Sequence, residues 1–300
     1  GAQSTGSTIA LGAGLDKLIL GAFVNTVTVS GVETIVGGTT NNTVVFATAT
    51  TGATVDLGAG LDQLTLAAAG GTLTASNVET VTGSSVADIV TLGAQATGAT
   101  INLAAGSDKL ILGNFVNTVT VSNVETIVGG SSSDVVTLGA ATTLGTISLG
   151  GGADRLILAA GGATVTVADV ETITGGAGVD LVTLSTQATG TAIDLGGGAD
   201  KLTLGAFDNT LTVSNVETLV ASASADSITY ATILSGSVDL GGGNDTLTLG
   251  AFLNTATVSN VETIVGGSTN DLVTLATQAR GITVDLGDGN DRLVLGAFAN

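Results

Sequence analysis

Twelve aspartates recur at nearly fixed intervals along this 300-residue chain, and their type and spacing make them its first candidates for chemistry. Seven follow glycine-rich stretches such as "LGGGND": Asp16, Asp62, Asp108, Asp154, Asp200, Asp245 and Asp291, 46 residues apart except for one step of 45. Five close a second kind of stretch, as in "GGSTND": Asp88, Asp134, Asp180, Asp226 and Asp271, with Asn42 in the matching place of the first copy. Such stretches could be ion-holding turns, catalytic loops or the punctuation of a repeat. Tight turns alone explain the composition, because Gly, Asn and Asp tolerate positive φ best. The chain has no His and no Cys, which removes nucleophile–base pairs and zinc sites of the usual kind. Carboxylate-only glycosidase or lyase chemistry on a β-helix would need one unique acid or basic constellation in a cleft. Every prominent acid here is instead a repeat position, and no catalytic residue is expected.

The elements that carry these aspartates follow from periodicity. The alphabet is narrow, with 46 Gly and no Pro, Met or Trp, which is common in repeat proteins. After each turn Asp the second residue is aliphatic, the third β-branched and the fourth nearly always Leu, as in Leu202-Thr203-Leu204 and Val182-Thr183-Leu184. Positions two apart on a strand share a face, so the second and fourth point inward and the third outward. A second register places acids at half the repeat interval, in "VDL" and "VET" phrases: Glu33, Asp56, Glu79, Glu125, Glu171, Asp194, Glu217, Asp239, Glu262 and Asp285. Taking that half-repeat as the structural unit gives about 23 residues per coil, two coils to each repeat and about 13 coils in all. The expected fold is an all-β parallel β-solenoid (β-helix) with three short strands per coil. One period covers residues 1–300, so a single continuous array is expected.

At this point the chain resembles a family. "GGAGVDLVT", Gly175 to Thr183, fits the calcium-binding RTX nonapeptide, and "GDGND" and "GGGND" ending at Asp291 and Asp245 look like RTX turns. "SNVETIVGG" resembles bacterial surface and secreted proteins built of β-strand repeats. The resemblance implies Ca2+ as the cofactor, held between coils by turn carbonyls and by the carboxylates of Asp16, Asp62, Asp88, Asp108, Asp134, Asp154, Asp180, Asp200, Asp226, Asp245, Asp271 and Asp291. Ca2+ takes about six to eight oxygen ligands. The departures are fewer and shifted glycines in the first turn type, "ASASAD" with none, and a coil longer than that family's β-roll coil.

Composition narrows the partners. A net charge of −19 disfavours nucleic acid and anionic membranes, and no run approaches the ~18 apolar residues of a membrane helix. Five of the six basic residues (Lys17, Lys109, Arg155, Lys201 and Arg292) directly follow a turn Asp, which reads as outward charge compensation. Outward T-x-T pairs such as Thr26/Thr28 and Thr118/Thr120 raise ice binding as a minor reading. Placed once per two coils they would stand ~9.6 Å apart, against the ~4.8 Å of consecutive coils. The chain also enters and stops within a repeat, without a capping coil, and reads as a segment of a longer array. The expectation is a non-catalytic, extracellular shaft of a secreted bacterial cell-surface protein, adhesin stalk, filament or surface layer. Its partners would be copies of itself, end to end or lateral, or a surface polysaccharide. The alternative is a calcium-responsive RTX-type folding and secretion module carrying another active domain.

Overall fold

The computed structural model describes residues 3–298. They form thirty-two short strands and no helix, and they divide into two compact units, Gly1–Asp154 and Arg155–Asn300. Each unit is a parallel β-solenoid, the fold that the alternation of apolar and β-branched residues predicts. Within each unit successive strands alternate between two sheets, so an inner strand pairs with the second one before it and the second one after it. In the first unit one sheet begins Thr5–Ala10, Asn25–Ser30, Asn42–Phe46, and the other begins Lys17–Ile19, Thr34–Gly38, Thr50–Gly58. In the second unit the sheets begin Arg155–Ile157, Thr172–Thr174, Thr189–Asp194 and Ala163–Ala168, Leu181–Leu184, Lys201–Thr203.

The coil is shorter than the half-repeat expected and has two strands, not three. Asn25 pairs with Asn42, Thr43 with Gln63, and Thr5 with Thr26. The hydrogen bonds that join coils at the turns show the same steps: 17 from Asn25 to Asn42, 20 from Asn42 to Asp62, and 21 from Ser4 to Asn25. The repeat therefore spans five strands, from Asn25–Ser30 through Gln63–Thr65, before the next copy begins at Gly71–Ser76. Five strands are two and a half coils, not two. Because five is odd, successive copies of one sequence enter opposite sheets. The half-repeat register is no structural unit. Its members alternate between a strand, as at Asp56 within Thr50–Gly58, and a turn, as at Glu79. They resemble each other in that both follow a buried residue, Val55 or Val78.

Packing follows the inward–outward reading. Leu202 and Leu204 are buried with Thr203 half-buried between them, and Leu247, Thr248 and Leu249 repeat the pattern. Each buried aliphatic side chain contributes on the order of 1.5–3 kcal/mol, and the β-branched outward residues suit a pleated surface. The one-residue deletion shortens the steps that span it, Asp226 to Asp245 to 19 residues and Leu234 to Asn254 to 20, and leaves the pairing on both sides intact.

Two features bring the coils close at the turns. A Cβ on Gly196, at φ +79°, would lie 2.2 Å from the Gly176 carbonyl oxygen, so the stacked turns leave no room for a side chain. In the "SNVE" phrase a left-handed residue turns the chain: Asn77, Asn123, Asn215 and Asn260 at φ 52–53°, Asp169 at 54° and Gly31 at 57°. Asn tolerates this region because its short polar side chain bonds locally. Here it also reaches back one coil, Asn77 donating to Asp56 at 2.7 Å and Asn260 to Asp239 at 2.7 Å.

The core assignment is open to a paired test. Leu202→Asp should cost several kcal/mol, because it buries an unpaired charge, while Thr203→Asp on the outward side of the same strand should cost far less. Thermal melting of both variants reads the difference, and equal losses would contradict the assignment.

Candidate functional site

The turn aspartates do not stand in solvent. Asp62, Asp88, Asp108, Asp134, Asp154, Asp180, Asp200, Asp226, Asp245 and Asp271 are each 0–2% exposed, while Asp16 and Asp291 are half-buried. They are buried because each replaces a strand partner at a corner, where the backbone leaves one sheet and its N–H would otherwise be unsatisfied. In the second unit the Ala188 N–H donates to Asn209 Oδ1 at 3.0 Å, and the Asn209 N–H to Asp226 Oδ1 at 3.0 Å. The Asp226 N–H then donates to Asp245 Oδ1 at 2.7 Å, and the Asp245 N–H to Glu262 Oε2 at 2.9 Å. Five residues on five successive coils are linked backbone to side chain.

The same relay recurs on alternate edges. Ala163, Asp180, Asp200 and Glu217 are joined by bonds of 2.7, 2.7 and 2.8 Å. Gly71, Asp88, Asp108 and Glu125 are joined by bonds of 2.7, 2.7 and 2.8 Å. Leu234, Asn254, Asp271 and Asp291 follow at 2.8, 3.0 and 2.9 Å. Asn117, Asp134 and Asp154 are linked at 2.9 and 2.7 Å, and Asp16 donates to Glu33 Oε2 at 2.8 Å. Asn42 shows that a neutral amide fits the same corner. Its N–H donates to Asp62 Oδ1 at 2.6 Å, and its Nδ2 donates to the Thr40 carbonyl, also at 2.6 Å.

The acids that the half-repeat register grouped together thus have two different tasks. Glu33, Glu79, Glu125, Glu217 and Glu262 each accept the N–H of a turn Asp 17 residues earlier. Asp56, Asp194, Asp239 and Asp285 instead accept the backbone N–H two residues later, at Gly58, Gly196, Gly241 and Gly287. Sequence reasoning missed Asn117, Asn209 and Asn254, which donate Nδ2 to Asp134, Asp226 and Asp271 at 2.8–2.9 Å. The signal was present as the step of 17 from each Asn to the next Asp.

The relay satisfies only half of each carboxylate. The second oxygen, Oδ2, is buried without a hydrogen-bond partner at Asp16, Asp62, Asp108, Asp134, Asp200, Asp226, Asp245 and Asp271. At Asp88 and Asp180 it accepts the N–H of Ser84 at 2.7 Å and of Gly176 at 3.3 Å. An orphaned buried charge is costly, and the titration behaviour reflects it. Burial raises the pKa of Asp62, Asp108, Asp134, Asp180, Asp200 and Asp226 above the ordinary carboxylate range, against the lowering effect of the accepted hydrogen bonds. Asp245 is pushed up to about 6, first by burial and further by the charges of Glu262 and Asp226.

Carboxylate oxygens are hard donors of the kind that Ca2+ takes. Among the described residues no three acids converge closely enough to hold a metal ion by themselves. A cation at these corners would therefore take one or two carboxylates and complete its shell with turn carbonyls and water. Compared with known protein families and with curated proteins, the chain matches none.

The raised pKa values set a pH dependence. A carboxyl whose pKa is higher in the folded chain than its unfolded value of about 3.9 binds its proton more tightly when folded. Stability is then greatest where it is protonated, falls as pH rises through the window between about 4 and about 6 at Asp245, and stays low above it. In chelator, the Tm should be higher at pH 5 than at pH 7, and Asp245→Asn should flatten part of that slope. A Tm that rises with pH across the window would contradict the burial of these carboxylates.

Proposed function

We propose that this chain is a non-catalytic structural element of a secreted bacterial surface protein, the shaft of a stalk, filament or surface layer, with Ca2+ locking its turns. The observation that carries this reading is the buried Oδ2 left without a partner at equivalent corners of successive repeats. A cation at each such corner replaces the lost hydration of the one or two carboxylates that face it. The two-stranded coil supports the resemblance to calcium-binding repeats, because it removes the mismatch in coil length that the half-repeat register implied. Catalysis finds no support, since the buried turn acids share one task, each accepting a backbone N–H from the preceding coil, and none forms a singular constellation.

Charge supports an extracellular setting. Low calcium inside a cell would leave the corner carboxylates unneutralised, and self-repulsion of a chain with net charge −19 would keep it extended for export. With only six Lys and Arg residues, the chain lacks the cations that phosphate backbones require. Its partners are copies of itself or a polysaccharide matrix.

Calcium binds the folded coils and hardly the unfolded chain, so stability rises with its concentration. Millimolar calcium, the range of extracellular modules, should raise the Tm well beyond an ionic-strength-matched sodium control. Asp245→Asn and Asp291→Asn should reduce that gain. In chelator Asp245→Asn should melt no lower than the parent, because it removes a buried charge and keeps an acceptor, as Asn42 does in accepting from Asn25 Nδ2. A melting point indifferent to calcium and chelator would overturn the cation-locked reading.

A further inference from the structure

The outward faces of the two sheets in the first unit differ in a way that the T-x-T spacing did not anticipate. The two-stranded coil interleaves the T-x-T strands with the "VVF", "LTL", "VTG" and "VTL" strands of other repeat positions. In the sheet that begins at Thr5–Ala10, one outward row runs Thr26, Thr43, Gln63, Thr80, Thr100, Thr120, Thr137, each residue paired with the next. The neighbouring row runs Thr8, Thr28, Val45, Thr65, Thr82, Asn102, Ser122. The places in each row thus recur at the interstrand distance of ~4.8 Å, with the two rows about 6.8 Å apart along the strand; Thr fills all of the first row but Gln63 and all of the second but Val45, Asn102 and Ser122. The objection from a repeat of ~9.6 Å does not apply to this face.

No charged side chain stands in either row, in a chain of net charge −19. The opposite sheet of the same unit carries Lys17, Asp56 and Lys109 at outward positions. Both rows are exposed or half-buried throughout. Thr is β-branched and stiff at χ1, so its hydroxyl and methyl are held at fixed places by the strand beneath. A ligand matched to this face is uncharged, rich in hydrogen-bonding oxygen, and periodic over many coils. Ordinary solutes meet the first two conditions and not the third.

We propose that this threonine face binds ice. Water held between neighbouring hydroxyls forms bridges nearly as favourable as direct hydrogen bonds, and rows at a constant interval extend those bridges into a sheet of ordered water. The methyl groups between them fill the gaps without competing for hydrogen bonds. Charged groups would pull water into radial shells and break the lattice, which gives their absence from these rows a purpose. Each contact is weak, but all rows engage one rigid surface together, so their effects multiply as in any multivalent attachment.

The whole chain in calcium-containing buffer should be taken up into ice grown slowly on a cold finger, and should suppress recrystallisation of fine-grained ice. Thr43→Lys with Thr80→Lys should abolish both effects with little change in Tm. Thr54→Lys with Thr126→Lys, on the opposite sheet, should leave both effects in place. Exclusion of the unmodified chain from the ice would overturn the proposal, as would uptake that the Thr43/Thr80 pair does not alter. Binding to crystalline cellulose or chitin, or self-association in sedimentation, that depends on Thr43 and Thr80 without ice uptake would assign the face to another occupant.

Discussion

The corner N–H is the constraint on which the rest of this structure depends. A parallel solenoid satisfies its backbone inside the strands, but where the chain leaves one sheet for the next an amide is left facing the coil beside it. Here a side-chain oxygen from the following coil accepts it, as Asp245 Oδ1 does for Asp226 and Glu262 Oε2 does for Asp245. The acceptor must be one coil away, so its position in sequence is set by coil length. That is why Asn, Asp and Glu recur at steps of 17 and 19–20 residues. A carboxylate can accept one N–H at Oδ1 only by entering the stack, and its other oxygen then loses water. The cation proposed for these corners would offset a cost that arises from how the coils are joined.

Strand type and facing were legible in the sequence, and coil length was not. The run Leu202-Thr203-Leu204 has period two and β-branched outward residues, which only a half-buried strand explains, and its burial follows that pattern. The repeat period is equally plain, but it does not say how many coils it contains. Dividing it into two equal halves placed Asp56 and Glu79 in one class. Two and a half coils put Asp56 within a strand and Glu79 at a corner, accepting the N–H of Asp62. A repeat with an odd number of strands cannot be recognised from its period alone, because each copy lies on the opposite sheet from the last. Asn209 was overlooked for the same reason: its partner, Asp226, lies 17 residues on, a separation that has no meaning until the coil is known.

The repeat thus separates three tasks in space. Leu and Val ladders between the sheets hold the coils by burial, and the corners hold them by hydrogen bonds that place charge inside. One outer face in the first unit is left neutral and regular. A chain with 25 acids can keep such a face because ten of the turn aspartates are buried at the corners. The calcium reading and the ice reading are independent, since the first concerns groups that close the coil and the second concerns groups that nothing in the fold requires.

The most direct measurement is a high-resolution structure of the chain prepared in calcium, with anomalous scattering used to identify any ion at the Asp226–Asp245 corner. The account predicts an ion in contact with Asp245 Oδ2, completed by turn carbonyls and water, with equivalent ions at the matching corners of other repeats. Corners without an ion, where Oδ2 is a protonated hydroxyl donating to a neighbouring carbonyl, would show that the stack neutralises its acids by itself and would contradict the cation-locked fold.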